Sequence, residues 1–257
     1  MNYIFITLFC AYAVASAQWK NTIEGNNVLD SLQLTTQKFD RIEISAPFDV
    51  IVEKGDYYGV KIIGESNVIT EVFTEVKNNT LLLSTSNNVR LHGNAMDRTQ
   101  VTVTTNDISE IYVLGSAKVS STSNIESKYL SLELIGSGKI SLTTDSQNVS
   151  VDITGSGHVD LKGNCRIIKG KVIGSGILQT NQLKSKKSFI KIVGSGQASV
   201  CSSEKLHASI NGTAGVTYVG KPKEVDITTW LGDKKHQYSV GHSSMDSNEQ
   251  KRSYQKE

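Results

Sequence analysis

One short phrase recurs at a nearly constant step: Leu114-Gly115-Ser116-Ala117, Ile135-Gly136-Ser137-Gly138, Thr154-Gly155-Ser156-Gly157, Ile173-Gly174-Ser175-Gly176 and Val193-Gly194-Ser195-Gly196. Two weaker copies follow, Asn211-Gly212-Thr213-Ala214 and Leu231-Gly232-Asp233, and the steps between first glycines are 21, 19, 19, 20, 18 and 20 residues. A fixed period in this range marks a stacked-repeat architecture, in which each unit buries its apolar face only against its neighbours.

Within a unit the apolar residues alternate. Leu130, Leu132 and Leu134 are separated by Ser131 and Glu133, and after the glycines Ile140 and Leu142 resume the pattern. That is the period of two of a half-buried strand. Each unit therefore reads as strand, Gly-Ser-Gly corner, strand, and then a polar turn such as Thr143-Thr144-Asp145-Ser146-Gln147-Asn148. Corner glycines allow positive φ and close backbone approach, and their recurrence suggests that the corners stack. This favours an all-β chain built as a parallel β-solenoid of roughly 20-residue coils; an antiparallel meander with Gly-Ser-Gly turns is the alternative. Residues 38–107 lack the phrase but keep the strand grammar, which predicts two or three less regular capping coils. The solenoid domain is expected over 38–232, between a polar lead (18–37) and a mobile polar tail (233–257).

The first seventeen residues carry no charge and end in Ala15-Ser16-Ala17, the pattern of a secretory signal peptide cleaved before Gln18. No later stretch is apolar for long enough to span a membrane, so the mature chain is expected to be secreted or at the cell surface, without membrane insertion. Lysines and arginines number 27 against 25 acids, a net charge of +2, and we expect neither nucleic acid nor an anionic membrane as partner. Cys165 and Cys201 remain after cleavage. Two repeats at ~4.8 Å each separate them by ~9.6 Å along the stack, which argues against a disulfide.

Stacking turns equivalent positions into surface columns, and a site would appear there. The structural positions are the corner glycines Gly115, Gly136, Gly138, Gly155, Gly157, Gly174, Gly176, Gly194, Gly196 and Gly212. Three residues before each first glycine stand Tyr112, Glu133, Asp152, Lys171, Lys191 and Ser209, a ladder with one favourable acid–base step. Directly before the glycines, Leu114, Ile135, Ile173, Val193 and Leu231 fall in the outward phase, interrupted by Thr154 and Asn211. An exposed apolar stripe of that kind marks an interface unless the corner rotates it inward. Ser116, Ser137, Ser156, Ser175, Ser195 and Thr213 form a third column with ordinary turn chemistry. His158 is the only histidine near these serines, and no third group completes a nucleophilic triad. The five histidines (His92, His158, His207, His236, His242) have no metal-ligand spacing, and no phosphate loop or dinucleotide fingerprint is present, so no cofactor is expected. Asn78, Asn148 and Asn211 head N-glycosylation sequons.

The chain resembles the putative auto-transporter adhesins with a head GIN domain. The resemblance rests on Phe39-Asp40-Arg41-Ile42, on Ala46-Pro47-Phe48-Asp49-Val50-Ile51-Val52-Glu53-Lys54-Gly55, on the serial Gly-Ser-Gly corners and on the closing Val216-Thr217-Tyr218-Val219-Gly220-Lys221-Pro222. It implies a right-handed β-helix-like fold similar in outline to pectin lyases, export, a role in cell adhesion and trimeric assembly, with no catalytic residues to carry over. The expected function is a non-enzymatic adhesin-like module presenting a repeated β-face to an extracellular protein or glycan, or to further copies of itself. The alternatives are a carbohydrate-active β-helix enzyme, with Glu133 and Asp152 or Asp152 and Asp160 as its acids, and a passive component of a surface layer or matrix.

Overall fold

The computed structural model describes residues 21–86, 89–92, 99–231 and 234–240. The expected signal peptide (1–17) and His242 lie outside them. The described residues are 76% strand and 2% helix and wind into a β-solenoid of roughly six turns, each of about 19 residues.

The regular part begins at β10 (Glu110–Gly115) and continues through β11 (Lys118–Gly136), β12 (Lys139–Gly155), β13 (His158–Gly174), β14 (Ile177–Gly194) and β15 (Gln197–Gly212), ending in β16 (Gly215–Val219) and β17 (Glu224–Leu231). Each coil is one long strand that bends around the core. All neighbouring coils pair in parallel, and the corner glycines fall in register: Gly115 on Gly136, Gly136 on Gly155, Gly155 on Gly174, Gly174 on Gly194 and Gly194 on Gly212. The parallel arrangement excludes the antiparallel meander.

The corner explains the spelling of the repeat. Its first glycine takes φ between +108° at Gly115 and +126° at Gly136, a region that costs other residues free energy. A Cβ at Gly155 or Gly174 would also lie 2.6 Å from the carbonyl oxygen of the glycine one coil before. That carbonyl is needed, because it accepts from the next corner's amide: Ser156 N donates to Gly136 O at 3.0 Å and Ser175 N to Gly155 O at 2.9 Å. The second glycine is buried; a Cβ there would meet Leu134 at Gly157 and Ile153 at Gly176. Gly138 and Gly196 are crowded instead by the backbone oxygens of Ala117 and Gly176.

The interior is aliphatic along Leu132, Val151, Ile190, Ala208 and Ile227, all at most 2% exposed. Removing each such side chain from water contributes ~1.5–3 kcal/mol for the larger ones. The segments read from sequence as polar turns are instead paired strand. Thr144 and Ser146 point inward, 0% and 2% exposed, and bond each other at 2.7 Å, while Thr144 Oγ1 donates to Ile125 O at 2.7 Å. Ser185, Ser188 and Ser202 are buried in the same way, with Ser185 Oγ donating to Cys201 O at 2.6 Å. Hydroxyls can face the core here because each finds a carbonyl or a second hydroxyl. Cys165 aligns with Ser146 and is buried; Cys201 aligns with Lys184 on the outer side of the wall, and both are free.

The cap is built differently. β3 (Arg41–Ile44) and β4 (Asp49–Lys54) make one coil layer, paired in parallel with β10 and β11 on one side. On the other side they pair in parallel with β7 (Thr80–Thr85) and β9 (Gln100–Thr105). Beyond that layer, β6 (Val72–Lys77) pairs antiparallel with β7, β5 (Gly59–Glu65) antiparallel with β9, and β2 (Leu29–Thr35) antiparallel with β5. A single-turn helix, Ser66–Ile69, joins β5 to β6. β1 (Asn21–Glu24) pairs with β8 (Val89–His92) in a separate two-stranded sheet. The capping coils are therefore not stacked in chain order, and their outer edge is antiparallel. Paired strand also extends past the expected limits of the domain: β2 lies in the lead, and β18 (Lys234–Val240) closes the far edge antiparallel to β17.

Candidate interaction face

The strand segments before the corners line one continuous parallel wall, in the order β3, β10, β11, β12, β13, β14, β15 and β17, and β7 extends it in parallel beyond β3. Its outward residues stand in three columns. The middle one runs Glu43, Tyr112, Glu133, Asp152, Lys171, Lys191, Ser209 and Thr228, so the six positions read from sequence are in register as spaced. Its acid–base step is an ion pair, Lys171 Nζ to Asp152 Oδ1 at 3.9 Å, with both side chains about half exposed. Such a pair contributes under ~1 kcal/mol in solvent.

The apolar column faces outward. Leu114 is 45% exposed and Ile173 37%, while Ile135 and Val193 are part-buried beside them. Thr154 and Asn211 occupy the two polar steps. One expected member is displaced: the register sets Trp230, not Leu231, opposite Asn211, and Trp230 is 40% exposed. Leu231 falls one residue past the column and pairs with Lys234 of β18. The last interval is a residue shorter than the glycine at 232 suggests, 19 residues from Asn211 to Trp230 against 20 from Gly212 to Gly232.

The first column runs Arg41, Glu110, Ser131, Ser150, Lys169, Phe189, His207 and Asp226. His207 Nδ1 lies 2.9 Å from Asp226 Oδ2. Beside it, Lys205 Nζ donates to Glu224 Oε1 at 2.6 Å.

Charge is distributed along this wall in a way the net value hides. Between Asp160 and Glu204 the chain carries eight lysines and arginines and no acid. Those residues build two adjacent coils, so the upper wall is basic through Lys169, Lys171 and Lys191, and the lower wall acidic through Glu110, Glu133 and Asp152. The segregation is visible in the sequence once charges are counted coil by coil.

The corner hydroxyls are exposed and their backbone amides close the corner ladder; Thr213 Oγ1 donates to Ser195 Oγ at 3.2 Å. His158 faces out on the wall after the corner, between Lys139 and Ile177. Glu133 and Asp152 are neighbours in register, but Asp160 lies on that second wall, aligned with Ser141 and Gln179. The corner therefore separates Asp152 from Asp160. Among the described residues no group of three His, Cys, Asp or Glu side chains could hold a metal ion, and no helix is long and apolar enough to cross a membrane. Of the sequons, Asn78 sits exposed at the β6–β7 turn with φ +51°, Asn148 is part-buried with its amide directed at Lys128 O, and Asn211 is exposed in the apolar column. Burial pushes the Cys165 thiol up to about 12, with Cys201 adding to the effect.

This is the architecture of a repeat-built β-solenoid, and the sequence places it in a family. Residues 38–222 match the family described as "Putative auto-transporter adhesin, head GIN domain", and the chain belongs to it. Among solved structures it is similar to a putative adhesin from Bacteroides fragilis (TM-score 0.75, 20% identity, covering 80% of this chain and 95% of that one). It is also similar to a putative adhesin from Parabacteroides merdae (TM-score 0.62, 17% identity, covering 81% and 95%). A putative lipid binding protein from Parabacteroides distasonis has the same fold (TM-score 0.64, 20% identity, covering 81% and 96%). No curated protein matches the sequence.

Proposed function

We propose that the chain is a non-enzymatic, adhesin-like module of the extracellular space or cell surface, and that it recognises its partner through the parallel wall. The observation that carries this reading is the outward column of Leu114, Ile135, Ile173, Val193 and Trp230, flanked by charged columns. An outward apolar column of this length, broken only at Thr154 and Asn211, favours a partner that covers it. Family membership and the leader-like first seventeen residues support the location. Against catalysis stands the placement of the acids, with Asp152 held by Lys171 and Asp160 turned to another wall.

The test is a binding screen of the purified chain against glycans and extracellular-matrix proteins, repeated with Ile173→Lys. A ligand bound by the wild type and lost in the variant, with the circular dichroism spectrum unchanged, supports the reading. Hydrolysis or elimination of a polysaccharide that disappears in Asp152→Asn overturns it.

A further inference from the structure

We infer that the wall recognises a second copy of itself, in antiparallel orientation. This rests on the reading above that the wall is the contact surface, and it names the occupant. The boundary between β12 and β13 lies at the middle of these eight strands, with β3, β10 and β11 beyond β12 and β14, β15 and β17 beyond β13, and the sheet continues past them into β7 and β6 at one end and β18 at the other. A two-fold axis lying along the strand direction at that boundary keeps every column on itself and reverses the order of coils.

The charges are complementary under that operation. Asp152 meets Lys171 of the second copy, and Glu133 meets Lys191. At the rim Arg41 meets Asp226. In the apolar column Ile135 meets Val193, while Ile173 meets Thr154 and Leu114 meets Asn211. The same pairs recur on the other side of the axis, as an isologous contact demands. A parallel two-fold along the solenoid axis would instead set Glu133 on Glu133, Asp152 on Asp152 and Lys171 on Lys171, a like-charge juxtaposition that interfaces avoid. The wall beyond the corner has no such property. There the equivalent operation sets Lys139 against His158, and Lys118 against Ile177. Seven steps of ~4.8 Å and strands of about six residues give a face of about 34 by 20 Å. That is roughly 700 Å² per copy, close to the ~800 Å² of a standard stable interface. The reversal of coil order points like ends of the two copies in opposite directions, so copies displayed on opposed surfaces could meet through it.

Glu133 and Lys191 decide the question, because three strand steps, about 14 Å, separate them within one chain. Any rescue between them must cross an interface. Sedimentation equilibrium of the purified chain at low salt should show a dimer that weakens by about tenfold or more as ionic strength rises. Glu133→Lys and Lys191→Glu should each weaken it by about tenfold or more, and the double variant should return to within about threefold of wild type. Circular dichroism of all three variants should match wild type, since both side chains are on the outer wall. A double variant as weak as the single ones, or a trimer, overturns the antiparallel pairing. A wild type that stays monomeric yet binds a matrix ligand lost in Ile173→Lys also overturns it, while leaving the adhesive reading intact.

Discussion

In the stack (108–231) almost every strand is bonded to the strands just before and after it in the chain; in the cap (29–105) chain neighbours are seldom sheet neighbours. Arg41 pairs with Glu110, 69 residues on, whereas Glu133 pairs with Asp152, 19 residues on. Short, repeated closures are cheap in chain entropy, and long ones must be repaid by the contacts they make. The two regions also turn their corners differently. The stack uses positive-φ glycines whose carbonyls accept a hydrogen bond from the next corner. The cap turns at Ser45-Ala46-Pro47, where Pro47 has no amide to give and Phe48 N donates back to Ala46 O at 2.8 Å. Its corner cannot extend the glycine ladder, which starts afresh at Gly115. The stack is thus a one-dimensional array, and the cap is a closed end that stops the array from growing.

If the cap were a separate body, damage to it would leave the stack folded. Phe48 is 0% exposed in the layer that β10 and β11 rest upon. Phe48→Ala should cost about 3–5 kcal/mol and shift a single urea transition, with amide exchange quickening in β10 and β11 before β14. Loss of protection confined to 29–105 would separate the two regions.

A smaller effect tests the corners. At Gly174 a Cβ meets both an unfavourable φ of +109° and the Gly155 backbone; at Gly115 the φ is +108° but nothing lies within 4 Å. Gly174→Ala should cost about 2–4 kcal/mol, combining backbone strain with overpacking. Gly115→Ala should cost only the strain, about 1 kcal/mol. Equal midpoints in denaturant would mean that stacking contributes nothing to the choice of glycine.

The same contrast governs what could be read from residues alone. The period, the in-register glycines and the columns of the stack were legible, because a ladder between chain neighbours leaves a repeat in the sequence. The cap's pairing was not, since alternation in Ile42 or Val101 specifies a strand but not its partner. Thr144 and Ser146 misled because hydroxyls between repeats read as solvated turn, and only the stacked Ile125 carbonyl shows why they can be buried. Trp230 was missed because the register follows pairing rather than the next glycine. Lys171 and Lys191 were legible as steps of one ladder, but the basic patch they form with Lys169 was not, because its charge cancels against acids several coils away.

The smallest expected effect concerns the buried hydroxyl column, where Cys165 takes the place that Ser146 holds one coil before. Burial, and then the neighbouring Cys201, push its thiol from an ordinary value of 9.0 up to about 12. An acid with a raised folded value stays protonated in the fold while the unfolded chain ionises. Stability is therefore full below pH 9 and declines as pH rises from about 9 toward 12, by ~1 kcal/mol near pH 10. Lysine deprotonation changes stability over the same range, so the comparison must be made against Cys165→Ser, whose hydroxyl does not titrate there and whose neighbours are already hydroxyls. We expect urea midpoints of the two proteins to run parallel up to pH 8.5 and to diverge above pH 9, the wild type falling faster. Parallel curves through pH 10.5 would show that this thiol is open to water and that the stack's interior is less closed than its burial implies.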